Sequence, residues 1–111
     1  MTVEGLSKAC GFIPAFPLPD PEREVTCGFC GDLLSWAMGR AKEGSAWCTV
    51  MGSVNAVAVA SLADAAVLVL CHEAALMEDA AARAQQQGIN ILRTDLPEFE
   101  AAAAVAKQLG I

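Results

Sequence analysis

Ala65-Ala66-Val67-Leu68-Val69-Leu70 is a run of six apolar residues with no polar interruption, closed by Cys71-His72-Glu73. An unbroken apolar run of strand length suits a strand buried on both faces, as in the middle of a parallel sheet covered by helices. On its amino-terminal side Ser53 can cap a helix whose stripe, Val54, Val57, Ala58 and Leu62, ends before Asp64. On the other side, residues 77–87 read as a polar-faced helix stopped by Gly88.

The same alternation extends outward. Residues 46–51 and 89–92 read as two further buried strands and residues 24–27 as a fourth. A helix is expected over 33–41, with Asp32 as its cap and Gly44 after its end. The last helix spans 98–109, where Asp95 with Glu98 three residues on resembles a capping box and Pro97 fits the first turn. Strands separated by helices of this length favour right-handed crossovers, and so a three-layer α/β/α fold with a mainly parallel sheet of four to six strands.

Ahead of this unit, residues 1–9 suggest a short helix and 11–16 a brief apolar run that could pair antiparallel at the sheet edge. Pro14, Pro17, Pro19 and Pro21 then mark a loop. We read residues 1–111 as one domain whose first 23 residues are the least defined part.

With 13 acidic and 7 basic residues the chain has a net charge of −6. The basic residues are scattered, which argues against nucleic acid and anionic membranes as partners. Glu4 and Lys8 interrupt the start, so no signal peptide is read there. The apolar stretch 54–71 contains Asn55 and Asp64 and suits helix, turn and strand better than a membrane span. Five cysteines without an export signal suggest reduced thiols, and the cytoplasm is the expected compartment.

In this architecture the polar clusters after the strands, Cys27-Gly28, Met51-Gly52-Ser53, Cys71-His72-Glu73 and Arg93-Thr94-Asp95, share one edge, where open α/β sheets bind ligands. The Gly52-Ser53 turn, leading into Asn55, can present free N–H groups to an anion, and Arg93 can add a guanidinium. The alternative is that Ser53 is an ordinary cap and Arg93 forms an internal salt bridge. No G-x-G-x-x-G or P-loop lysine is present.

Cys27-Gly28-Phe29-Cys30 has C-x-x-C spacing, and Cys71 and His72 could complete a metal or redox site. Against this, free cysteines are usually small core residues, and this reading applies directly to Cys10 and Cys48. An acid–base role for His72 with Glu73 and Ser53 is weaker, because adjacent side chains point apart. Trp36, Met38 and Arg40 belong either to the core or to a dimer interface.

Glu22-Arg23-Glu24-Val25-Thr26-Cys27-Gly28, running into Gly31-Asp32-Leu33-Leu34-Ser35, resembles the DRTGG domain family. The family's Asp-Arg, Thr and Gly-Gly positions fall on Glu22, Arg23, Thr26, Cys27 and Gly28. Residues 55–60 and 90–95 resemble later family segments, and the likeness covers about Val25 to Leu109. Glu22 replaces Asp and Cys27 the first Gly, so a backbone contact that needs positive φ at that position is not available here.

The resemblance implies a fold like the amino-terminal domain of HPr kinase. It also implies a regulatory role, since relatives are fused to phosphotransacetylases or nucleotide-regulated pyrophosphatases. Stand-alone relatives lie among genes for iron-only hydrogenases, which implies a protein partner in fermentative or redox metabolism.

Together these readings lead us to expect a non-enzymatic regulatory or assembly module without a cofactor. It is expected to homodimerise and to bind a small anionic ligand, a nucleotide or phosphate metabolite, through Thr26, Gly28, Gly52, Ser53, Asn55, Arg93, Thr94 and Asp95. The rival expectation is a metal or redox protein built on Cys27, Cys30, Cys71 and His72.

Overall fold

The computed structural model describes residues 1–111. In chain order the elements are α1 (Val3–Cys10), β1 (Ile13–Pro14), β2 (Cys27–Cys30), α2 (Leu34–Arg40), β3 (Ser45–Thr49), α3 (Val54–Leu62), β4 (Val67–Leu70), α4 (Glu78–Gln87), β5 (Ile91–Arg93) and α5 (Glu98–Leu109). The strands form one sheet in the order β1-β5-β4-β3-β2, parallel throughout except for β1, which runs antiparallel to β5.

Helices cover both faces of this sheet. Val67 and Val69 of β4 point toward α1 and α5, into a core with Leu6, Phe12, Leu92 and Val105. Leu68 and Leu70 point the other way, toward α2, α3 and α4, and join Trp47, Val57 and Ile91. All four β4 residues are buried, which is why the central strand carries no polar alternation.

The amino-terminal arm is firmly attached. Thr2 caps α1 by accepting from the Gly5 N–H at 3.0 Å, and Gly11 ends the helix in the left-handed region. The buried Asn90 side chain secures the proline-rich loop: Oδ1 accepts from the Asp20 N–H at 3.0 Å, and Nδ2 donates to the carbonyls of Asp20 at 2.7 Å and Ala66 at 3.1 Å. Arg23 adds an ion pair to Asp64 at 2.9 Å.

Three local expectations are corrected. The second strand covers Cys27–Cys30, not 24–27. The β-favouring Val25 donates its N–H to the Met1 carbonyl, and Glu24 bridges Thr2, so that signal belongs to the amino terminus; the ladder with β3 starts at Cys27 opposite Ser45.

Asp32 does not cap α2, whose N-cap is Leu33 with no side-chain bond. Its carboxylate is taken by β3, where Oδ1 accepts from the Thr49 hydroxyl at 2.7 Å and the Val50 N–H at 2.9 Å. Nor does Asp95 form a capping box. The N-cap of α5 is Pro97, and Thr94 Oγ1 accepts from the Leu96 N–H at 3.1 Å. Ser53 does cap α3, accepting from the Ala56 N–H at 3.3 Å.

Candidate functional site

Because β2 extends to Cys30, the carboxyl rim of the sheet is made by Gly31-Asp32, Val50-Met51-Gly52, Cys71-His72-Glu73 and Thr94-Asp95. The turn after β4 is the most constrained part of this rim. His72 and Glu73 have φ of 59° and 55°, and the Ala74 N–H donates back to the Cys71 carbonyl at 3.0 Å. Two non-glycine residues in the left-handed region at the centre of one turn store backbone strain. The adjacent loop holds them, since the His72 and Glu73 N–H groups donate to the carbonyls of Leu96 and Thr94. Strain held by surrounding bonds is common where a chain binds something.

Across the rim, Asp32 at the end of β2 lies beside Glu98 at the start of α5. Partial burial raises the Asp32 carboxyl pKa, but the bonds from Val50 and Thr49 and the neighbouring Glu98 outweigh it, leaving the pKa low. Burial and then Asp32 raise that of Glu98. Glu98 Oε2 in turn accepts from the Cys30 thiol at 3.4 Å. Burial first, then that bond, push the Cys30 thiol up to about 11, so it is protonated at neutral pH.

The eight expected ligand residues fall into separate places. Arg93, Thr94 and Asp95 come together with Glu73, Gly11 and Ile13 around an open polar depression of about 420 Å³. Arg93 takes part in none of the ion pairs. Gly52, Ser53 and Asn55 stand at the start of α3, where Gly52 is packed against the backbone of Ala75 and its carbonyl accepts from the Met77 N–H at 2.9 Å. Thr26 lies at the opposite edge, donating its N–H to the carbonyl of Gly44 and lining a depression with Arg23, Glu24 and Glu43.

Gly28 lines an apolar cleft of about 230 Å³ between the sheet and α5, with Cys30, Ala46, Cys48, Val105 and Leu109. Neither Cys27 nor Gly28 has positive φ, so replacing the first glycine of the resemblance by Cys27 strains nothing.

The cysteine reading changes with the strand. In an extended chain, residues three apart face opposite sides of the sheet, so Cys30 points toward α5 while Cys27 points away. No group of three His, Cys, Asp or Glu side chains is placed to hold a metal ion. What the sequence reading missed is that Cys30 stands opposite Cys48, its register partner on β3. Cys48 lies against Cys71 and is held protonated by the bond to Cys71 and by burial. The signal was in the sequence only as two cysteines on neighbouring strands, and pairing them required the register.

The β2 edge has no neighbour on its outer side. Its residues, Cys-Gly-Phe-Cys, include neither a charge nor a proline, the usual guards of a free edge. The other edge is guarded, since β1 is two residues long and Pro14 has no N–H to donate. In the segment after β2, Leu33, Trp36 and Met38 are 64%, 53% and 52% exposed, so the core alternative for Trp36 and Met38 is not met, while Ala37 of α2 is buried. The Arg40 guanidinium lies 3.5 Å over the Trp36 ring. On the other face α5 packs on β2, and Leu109 lines the cleft.

No family model and no curated protein matches the chain by sequence. Among solved structures it is similar to the CBS and DRTGG domains of the regulatory region of Clostridium perfringens pyrophosphatase, a structure complexed with the activator diadenosine tetraphosphate. The superposition has a TM-score of 0.68 at 9% identity and covers 97% of this chain and 47% of that one. The chain is DRTGG-like in fold. At that identity the likeness establishes the fold alone. No helix is long and apolar enough to cross a membrane.

Proposed function

We propose that this DRTGG-like chain is a regulatory module that acts by pairing with a second copy of itself rather than by catalysing a reaction. The unguarded β2 edge carries this reading. Isologous pairing of two such edges would run antiparallel about a two-fold axis and join two five-stranded sheets. Leu33, Trp36 and Met38 supply exposed apolar surface at and just before α2, the helix that follows β2 in the chain, and buried aromatic and methionine side chains are typical of interface centres.

The ligand half of the proposal rests on Arg93. A guanidinium without an ion partner beside Thr94 in an open depression suits a phosphate or carboxylate. Glu73 and Asp95 flank it, which favours a ligand that also brings hydrogen-bond donors, as a nucleotide base does. The similar pyrophosphatase region, complexed with a dinucleotide activator, supports that ligand class.

Static light scattering with a thermal-shift panel of adenine nucleotides and acetyl phosphate tests both halves. The proposal expects a dimer at tens of micromolar and a raised Tm with at least one nucleotide, an effect lost in Arg93→Ala, because a ligand of the native state stabilises it. A monomer removes the association half. A saturating panel without any shift removes the ligand half.

A further inference from the structure

We propose that Cys30 and Cys48 form a thiol oxidation site, closed by a hydroperoxide into a cross-strand disulfide that ties the edge strand β2 to β3. This goes beyond association with a second copy, because the bond lies within one chain.

The geometry begins with register. Cys30 and Cys48 are direct partners on adjacent parallel strands. Neighbouring strands lie about 4.8 Å apart, inside the Cα separation of roughly 4.4–6.8 Å that disulfides take. Paired residues project to the same face, and here both thiols line the apolar cleft under α5. The Cβ atoms must still draw together, to about 3.8 Å. The surroundings permit this: β2 has a strand on one side only, and the pair next to the cysteines on the same face is Gly28 and Ala46, the smallest side chains available.

The two thiols differ in access. Cys30 is exposed and Cys48 is 1% exposed. Cys30 therefore meets the oxidant first and Cys48 resolves the product. The Cys30 thiol already donates to Glu98 Oε2 at 3.4 Å, which places a proton acceptor beside it. As its proton passes to Glu98, the Cys30 sulfur attacks the hydroperoxide; an S–O bond forms, the O–O bond breaks, and the departing hydroxide or alkoxide takes the proton from Glu98 and leaves as water or an alcohol, giving the sulfenic acid. The Cys48 sulfur then attacks the Cys30 sulfur. The S–S bond forms, the S–O bond breaks, and the departing hydroxide takes the Cys48 proton as water. Two thiols lose two electrons and the peroxide gains them.

The carboxylates of Glu98 and Asp32 and the imidazole of His72 lie toward this end of the cleft, and the Cys71 thiol lies behind Cys48. With Cys30 resting as a thiol among carboxylates, the first step is slow at neutral pH and quickens as pH rises.

Treating the full chain with hydrogen peroxide, with free thiols counted and peptides mapped by mass spectrometry, tests this. The expected result is a fall from five free thiols to three, a denatured mass still that of one chain, and joined peptides containing Cys30 and Cys48, all reversed by dithiothreitol. Cys30→Ser should abolish the link, and Cys27→Ser should leave it intact. Five surviving thiols, a Cys27 link, a Cys48–Cys71 link or a disulfide between two chains would each overturn the proposal. If Cys30→Ser does not fold, the peptide map of the oxidised natural chain alone decides. Dimerisation does not enter, because the link is read on denatured single chains.

Discussion

Gly52 lies so close to Ala75 that a Cβ at residue 52 would overlap the Ala75 carbonyl oxygen. The turn into α3 and the loop into α4 therefore cross with backbone against backbone, joined by the Met77 N–H donating to the Gly52 carbonyl at 2.9 Å. A methyl group here must displace main chain rather than a side chain. We expect Gly52→Ala to lose about 2 kcal/mol or more, as overpacking against rigid surroundings does. Urea unfolding checks this, and an unchanged midpoint would show that the two loops separate readily.

The turn after β4 should gain from the residues its geometry favours. With both central positions left-handed, Asn-Gly suits it far better than His-Glu. The double variant His72→Asn, Glu73→Gly is expected to be more stable by about 1 kcal/mol, the scale of left-handed strain in ordinary residues. A loss of stability would mean that the side chains of His72 and Glu73 contribute more than their backbone costs.

Asn90 is the clearest single anchor of the amino-terminal arm. Asn90→Ala removes the side-chain partner of the Ala66 carbonyl and of the Asp20 N–H, while the Asp20 carbonyl keeps the Arg23 N–H at 3.3 Å. Unmet buried polar groups cost about 1–3 kcal/mol each, and partial access to water puts the total near the lower end. The expected signature is faster proteolysis between residues 17 and 23 together with the stability loss. Equal cleavage rates would show that the remaining bonds, among them the Arg23–Asp64 ion pair and the Glu4 N–H to the Pro21 carbonyl, hold the arm without Asn90.

The Asp32 and Glu98 carboxyls should respond to pH in opposite senses. Asp32 has a lowered folded pKa, so its stabilisation is present above the ordinary aspartate value and is lost as pH falls through the folded one. Glu98 has a raised folded pKa; the folded chain binds the extra proton, and stability declines as pH rises from the ordinary glutamate value through the raised one. Carbon-detected NMR titration should find Glu98 above the usual glutamate range, and Asp32→Asn should bring it down. A Glu98 titration unmoved by that change would assign its shift to burial alone.

Much of the fold was legible because its strongest signals are local. The apolar run 65–70, whose last four residues form β4, the stop at Gly88, the Ser53 cap and the last helix over 98–109 depend on a few neighbouring residues, and the structure has each of them. β2 was displaced by three residues because Val25 and Thr26 favour extended backbone wherever they pair, and their partners lie in other segments.

The same displacement limited the site. Asp32 looked like a cap because its nearest helix begins two residues later, whereas its real partners, Thr49 and Val50, are across the sheet. Cys30 and Cys48 are separated by a helix, and only strand register makes them neighbours. Arg93-Thr94-Asp95 was readable as a unit, since three consecutive polar residues at a strand end must share the rim.

Native mass spectrometry of the natural chain beside Gly28→Lys tests association through the β2 edge. A Cβ at residue 28 meets only ordinary contacts at 3.7 and 3.8 Å, so the backbone accepts the substitution, and circular dichroism must show the lysine variant folded before the two assemblies are compared. A dimer is expected for the natural chain at tens of micromolar and a folded monomer for Gly28→Lys. A monomeric natural chain, or equal dimerisation of both, would contradict it.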